Sequence, residues 1–265
     1  MFPRLPFCYA RRTHWFLDED GVDRWASKIF VKVNAPEVLR RELARRSWKR
    51  EEVALGTATD PYQPAEGRYR LTRRILEALR DFRTPASIVT RSPLVRRDLD
   101  LLVDLARRAG VTVCLSIATT DPVRAREIEP TVASPAHRLR TVEALSSAGI
   151  RAGVLLAPIL PGLTDDLQSL EAVVEAARCH KAHFVSHNVL HLGDVTRDAF
   201  MRFLRLRHPT LVPRYEQMYK GKYAPAGYRA GVSRMVNAAR ERIRIFEPRY
   251  LEPPPEPEQL RLFSR

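Results

Sequence analysis

Three cysteines stand far apart in this chain, at Cys8, Cys114 and Cys179, and the first sits in the stretch "FCYARRT" with no other cysteine near it. A lone thiol is by default a small buried apolar group, whereas a thiolate site for a soft metal centre needs several sulfurs. Most other reactive groups gather in short polar turns that follow apolar runs. "GTATDPYQP" carries Thr57, Thr59 and Asp60, "TRSP" carries Arg91, and "VTVCLSI" ends on Ser116, two residues beyond Cys114 and on the same strand face. Hydroxyl, carboxylate and guanidinium groups in such turns suit a polar ligand, although an aspartate before proline also caps its own turn. His183, His187 and His191 recur at intervals of four. In extended chain each interval spans roughly 13 Å, too far for one metal ion. His191 is therefore read as a polar group at the active-site end of a sheet.

The elements that must position these residues follow from periodicity. From about residue 50, five apolar runs, "EVALG", "ASIVT", "VTVCLSI", "AGVLLAPIL" and "HFVSHNVLHL", alternate with helical patterns. Leu71, Ile75, Leu76, Leu79 and Phe82 share one helical face, as do Leu139, Val142 and Leu145, and then Leu167, Leu170, Val173 and Val174. The alternation predicts an α/β fold of βα units around a parallel sheet. Five units fall short of a closed eight-stranded barrel, leaving a partial (βα) barrel or a doubly wound sheet. In such folds ligands bind at the C-terminal strand ends, which is where the polar turns lie. Residues 1–197 form the expected partial barrel, preceded near its start by the mixed "KIFVKVNA" and the helical "PEVLRRELARRSW". Residues 198–246 form a basic helical C-terminal extension with Phe200, Phe203, Tyr215, Tyr219 and Tyr223. Residues 247–265 form a proline-rich flexible tail.

A hydrophobic share of 45% in 265 residues supports a sizeable core. The 45 Lys+Arg against 31 Asp+Glu leave a net charge of +14, which suits a polyanion such as nucleic acid. Arginine spread along amphipathic helices equally gives solvated faces. No apolar run approaches a membrane span and no signal peptide is visible, so no membrane partner is expected. Scattered cysteines favour a reducing, cytoplasmic setting.

In this order and spacing, "CYAR", "KIFVKVNAPEVLRREL", "ALGTATDPYQPAEGRYRLTR", "SIVTRSPLVRRDLDLL", "IEPTVASPAHRL" and "APILPGLTDD" resemble the radical S-adenosylmethionine enzymes, in particular the actinobacterial relatives of spore photoproduct lyase. The resemblance runs from Phe7 to about Pro225. It implies two cofactors, a 4Fe–4S cluster and S-adenosyl-L-methionine, and a reductant protein as partner. The cluster is held by a C-x3-C-x2-C loop, and its reduction cleaves the sulfonium to a 5′-deoxyadenosyl radical that abstracts hydrogen. Cys8, followed by Tyr9, matches the third cysteine and so the metal position, but Met1 and Leu5 stand where the first two belong. Shifted by one base, the codons for "MFPRLPF" permit Cys-Ser-His-Ala-Cys-Arg-Phe, which restores the family spacing. The expectation is a frameshifted gene of an intact enzyme whose first barrel strand lies upstream, and poor solubility for the chain as written.

The same resemblance gives the cofactor-binding residues. Thr59 and Asp60 align with the turn that receives the methionine ammonium, Arg91 stands where relatives usually carry a carboxylate-binding lysine, and Ser116 faces ribose or carboxylate. Thr57 replaces the cysteine with which spore photoproduct lyases return hydrogen to product. Its O–H bond is too strong for that step, so reversal of a thymine dimer by the same route is not expected, and the substrate stays open. The reading is a lyase-like or hydrogen-abstracting enzyme related to DNA repair, inactive in the chain as written. The alternative is a non-catalytic nucleic-acid-binding or sliding-clamp-associated adaptor that has lost its cluster.

At the end of the tail, "QLRLF" follows "EPPPEPE" and resembles the pentapeptide with which bacterial polymerases and repair proteins dock on the DNA sliding clamp. Leu260, Leu262 and Phe263 would fill an apolar pocket while Gln259 bonds at its rim, the prolines holding the motif away from the body. The other reading is an apolar cluster folded back on the barrel.

Overall fold

The computed structural model describes residues 5–8, 11 and 29–245; the tail with Gln259, Leu260, Leu262 and Phe263 lies outside them. The five apolar runs form five strands, β1 (Val53–Leu55), β2 (Ala86–Thr90), β3 (Val111–Ser116), β4 (Arg151–Ile159) and β5 (Val185–Val189). All neighbours pair in parallel, and the order along the sheet is the order along the chain. A doubly wound sheet reverses its winding partway. This one does not, so each crossover steps the same way, as in a (βα) barrel, and the sheet stays open with β1 and β5 as its edges.

Around the sheet lie α1 (Ala35–Leu43), α2 (Glu66–Tyr69), α3 (Leu71–Asp81), a 3-10 turn (Pro93–Asp98), α4 (Leu99–Arg108), α5 (Pro122–Ile128), α6 (Pro135–Ser147) and α7 (Leu167–Cys179). The short strand-to-helix turns close on local capping chemistry. Ser92, Asp121, Ser134 and Asp166 each accept a bond from the first turn they precede, and proline follows the first three. Oxygen caps satisfy orphan N–H groups, and proline at the first helical position loses nothing by lacking one. These caps fix where each crossover leaves the C-terminal rim of the sheet.

The predicted helical faces are buried only in part, with Leu71, Ile75 and Phe82 half-buried. Leu76, Leu79, Leu139, Val142, Leu145, Leu170, Val173 and Val174 enter the main core, but Leu167 is 50% exposed. Leu167 opens α7 directly after its cap, where the chain still faces solvent, so heptad-like spacing alone misplaced it. Gly153 in β4 is required by packing, because a Cβ there would lie 2.5 Å from the Phe184 ring.

A second apolar cluster covers the C-terminal rim. Leu5, Phe7, Leu160, Leu163 and Leu190 meet Phe200, Met201 and Leu204 of α8 (Asp194–Arg207), with Tyr215 of α9 (Val212–Met218) and Tyr219 beyond it. The two tyrosine hydroxyls find carbonyls, Tyr215 donating to Pro161 O at 2.8 Å and Tyr219 to Leu190 O at 3.0 Å. Fully burying a large apolar side chain is worth roughly 1.5–3 kcal/mol, so these aromatics hold the basic segment on the rim. The last helix, α10 (Ala226–Ile243), buries Val232, Val236 and Ala239 in the main core beside α7 and β5. Among the described residues no helix is long and apolar enough to cross a membrane.

Candidate cofactor site

Where the strands end, a cavity of about 650 Å³ opens between the rim turns, the N-terminal residues and α10. It brings together Cys8, Thr57, Thr59, Asp60, Arg91, Ser116, His187 and His191 from five separate stretches of chain. Cys114 and His183 do not line it. The Cys114 thiol is buried and burial pushes it up to about 12. His183 lies before β5, its Nδ1 beside Ala152 O at 3.2 Å and Ser146 Oγ at 3.4 Å. The three histidines therefore share no site, and among the described residues no three His, Cys, Asp or Glu side chains converge to hold a metal ion.

The turn after β1 starts at Gly56, whose φ of +103° and whose approach to the Val89 carbonyl leave no room for a Cβ. This brings Asp60 against the end of β2. Its Oδ1 accepts from Tyr62 N at 2.9 Å and from the Thr90 hydroxyl at 2.6 Å, and its Oδ2 accepts from Arg91 N at 2.8 Å. The capping bond and the cavity position thus occur together, and the carboxylate fixes the backbone that carries Arg91. Thr59 is exposed at the same turn. The turn is anchored from behind by buried Glu66, which accepts from Thr72 N at 3.0 Å and Arg97 Nη2 at 2.7 Å.

Arg91 is held by its Nε, which donates to Glu129 Oε1 at 2.9 Å, with Phe7 5.8 Å from the guanidinium carbon. Burial alone would lower the guanidinium's pKa; the Glu129 carboxylate outweighs it and holds the group above its ordinary value. Glu129 is itself buried, which would raise its pKa, but the charges of Arg138 and Arg91 leave it below the usual carboxylate value. Arg138 bonds Glu129 Oε2 at 2.5 Å and donates to the Ser116 carbonyl. The Ser116 hydroxyl donates to Ala157 O at 2.8 Å, linking the ends of β3 and β4. Sequence reasoning assigned no role to Glu129 or Arg138; the signal was present in "IEPTVASPAHRL", where an acid precedes proline and an arginine lies on a buried helical face.

On the far wall, His187 Nε2 lies 2.9 Å from Ser233 Oγ of α10. His191 stacks at a tilt on Tyr223, ring centroids 4.9 Å apart. Burial and then the nearby Lys222 charge lower the His191 pKa, so it is a neutral donor or acceptor near pH 7.

Residues 6–177 match the Radical SAM superfamily. The chain belongs to the radical SAM superfamily. An uncharacterized protein of Mycobacterium tuberculosis (strain ATCC 25618 / H37Rv) is 43% identical over 224 residues, covering 84% of this chain and 66% of that protein. The chain thus spans just under two thirds of the length of the curated mycobacterial relatives it matches. An uncharacterized protein of Methanocaldococcus jannaschii is 30% identical over 60% of this chain and 57% of its own. Among solved structures, spore photoproduct lyase complexed with dinucleoside spore photoproduct has a TM-score of 0.62 at 14% identity, over 90% of this chain and 70% of that one. A variant of that lyase with bound AdoMet gives 0.61 at 15% identity over the same shares. At such identity the likeness is one of fold.

Membership in the radical SAM superfamily implies S-adenosylmethionine and a 4Fe–4S cluster. The residues present fit the first and not the second. Three thiolates hold the family's cluster, but of the matching positions only Cys8 is a cysteine, and Leu5 is buried in the rim cluster at 3% exposure with no electron pair to offer. For S-adenosylmethionine, the cavity sets a guanidinium tied by its Nε beside an exposed threonine and a pinned carboxylate, the groups that suit an α-amino-acid end.

Proposed function

We propose that this cavity is the S-adenosylmethionine site of a radical SAM enzyme, with Arg91 holding the methionine carboxylate and Thr59 and Asp60 accepting from its ammonium. The observation that carries this is Arg91: its Nε is spent on Glu129 while the side chain lines the cavity, leaving the terminal nitrogens for a bidentate carboxylate. Ser116 orients the adjoining wall. In a chain with a complete cluster loop S-adenosylmethionine would supply the 5′-deoxyadenosyl group and a reductant protein the electrons; the residues present here fit only the S-adenosylmethionine part. The fold likeness to a lyase and the charge of +14 support a hydrogen-abstracting reaction related to DNA repair. Thr57 at the cavity argues against returning hydrogen as spore photoproduct lyase does. The cysteine usage supports a cytoplasmic setting.

Titration calorimetry of the purified chain with S-adenosylmethionine tests the site. Binding that weakens by on the order of tenfold or more in Arg91→Ala, and less in Arg91→Lys, is expected for a charge-assisted pair. No binding, or equal binding by all three proteins, overturns the reading.

The buried Leu5 favours a second reading, a cluster-free protein that keeps the cavity and binds nucleic acid. Anaerobic reconstitution with iron and sulfide separates the two. The enzyme reading expects little cluster absorption from this chain and a stable cluster once Met1→Cys and Leu5→Cys are introduced behind a new initiator. A repaired protein that still takes up no iron leaves the second reading.

A further inference from the structure

Of Phe200, Phe203, Tyr215, Tyr219 and Tyr223 in the basic C-terminal stretch, Phe200, Tyr215 and Tyr219 are buried, Phe203 packs against the same cluster, and Tyr223 alone is 52% exposed. Its position is fixed from behind. Tyr223 forms an antiparallel bridge with His191, and Leu192 N donates to Lys222 O at 2.9 Å. Cations flank the ring: Lys222 Nζ lies 5.3 Å and Arg229 Cζ 5.6 Å from its centroid. The Arg229 guanidinium is steadied by Nε donating to Ala224 O at 3.0 Å.

Tyr223 is also the wall between two hollows. One is the cofactor cavity; the other, of about 540 Å³, is lined by Arg214, Lys220, Gly221 and Pro225 among others. Between residues 214 and 229, Arg214, Lys220, Lys222 and Arg229 stand against a single acid, Glu216. Among the described residues Lys220, Lys222 and Arg229 join no ion pair, and Arg214 makes only a 3.5 Å contact to Asp165, which already accepts from the Tyr228 hydroxyl at 2.6 Å. An exposed aromatic ring amid unpaired cations is a poor surface for water alone. It suits a chain with alternating flat rings and negative charges.

We propose that this face binds single-stranded nucleic acid, one unpaired base stacking on Tyr223 while the neighbouring phosphates lie against Lys220, Lys222 and Arg229. Every base has a π-face, so stacking needs no particular sequence, and the cations contribute the salt-sensitive part. The platform borders the cofactor cavity, so the stacked base stands at its mouth. That last placement rests on the cavity being the reaction site; strand binding does not, and loss of S-adenosylmethionine binding with strand binding intact would separate the two.

The test is fluorescence anisotropy of the full chain with a labelled oligothymidylate at several salt concentrations. Tyr223→Ala should weaken binding on the order of tenfold and Tyr223→Phe should not, since stacking is worth ~1–3 kcal/mol per base. Lys220→Glu with Lys222→Glu should lower the salt slope, whereas Arg107→Glu with Arg108→Glu, at the far end of α4, should leave it unchanged. An abasic strand of equal length should bind the wild type only as well as oligothymidylate binds Tyr223→Ala. Equal loss from both charge reversals, no effect of Tyr223→Ala, or equal competition by inorganic polyphosphate of matched charge would overturn the proposal.

Discussion

Glu129 holds Arg91 at 2.9 Å with one carboxylate oxygen and Arg138 at 2.5 Å with the other, so a single buried acid fixes the cation on the cavity wall and ties it to the end of β3. Its loss leaves two guanidinium groups without their shared counter-ion. Glu129→Ala should therefore destabilise by about 3–5 kcal/mol, the range for breaking one side of a buried ion pair, read by urea denaturation.

The same carboxylate gives a pH signature. Its folded pKa lies below the ordinary 4.5, so the stabilisation it supplies is present above that value and is lost as pH falls through the lowered folded pKa. Thermal melts of wild type and Glu129→Gln should converge as pH falls below about 4, the wild type losing stability that the glutamine variant never had. A constant gap between them down to pH 3 would contradict the assignment.

Gly56 sets the turn that carries Thr57, Thr59 and Asp60. Alanine there meets both a positive φ and the Val89 carbonyl, and strained backbone of this kind costs of order 1–3 kcal/mol before any clash is counted. Gly56→Ala should lower the denaturation midpoint and weaken S-adenosylmethionine binding together, because the turn that pins Asp60 must move. Unchanged stability would show that the turn adapts.

Thiol labelling should separate two cysteines cleanly. Cys179 is exposed at the end of α7, whereas Cys114 is buried with its thiol pushed up to about 12. Iodoacetamide at pH 8 should modify Cys179 within the native state and Cys114 only after denaturation, since the thiolate is the reactive form. Peptide mass mapping reads both.

Leu167 and Leu170 share a helix and a predicted face but not an environment, being 50% and 0% exposed. Leu170→Ala should cost about 2–5 kcal/mol and Leu167→Ala within about 0.5 kcal/mol, measured by equilibrium unfolding.

Local pattern determined the five parallel strands, because each "VALG"- or "SIVT"-like run is short, apolar and followed by helical spacing, and a strand of this kind has few other ways to bury both faces. It also located the polar rim, since turn residues such as Asp60 and Ser116 must follow strands that end. The winding direction was not legible: partial barrel and doubly wound sheet share the same local elements, and only strand order separates them. Leu167 was misplaced because the helical period says which residues align, not where the core stops. The pairing of Arg91 with Glu129, 38 residues apart, and of His191 with Tyr223 on the neighbouring segment depended on how crossovers bring distant turns together. The sequence could name Tyr223 only as one aromatic among several; tertiary packing, which drew Phe200, Phe203, Tyr215 and Tyr219 against the rim cluster and left Tyr223 between Lys222 and Arg229, set it apart. Side-chain types are written locally, while their partners are chosen by the fold, because burial and charge pairing act across space rather than along the chain.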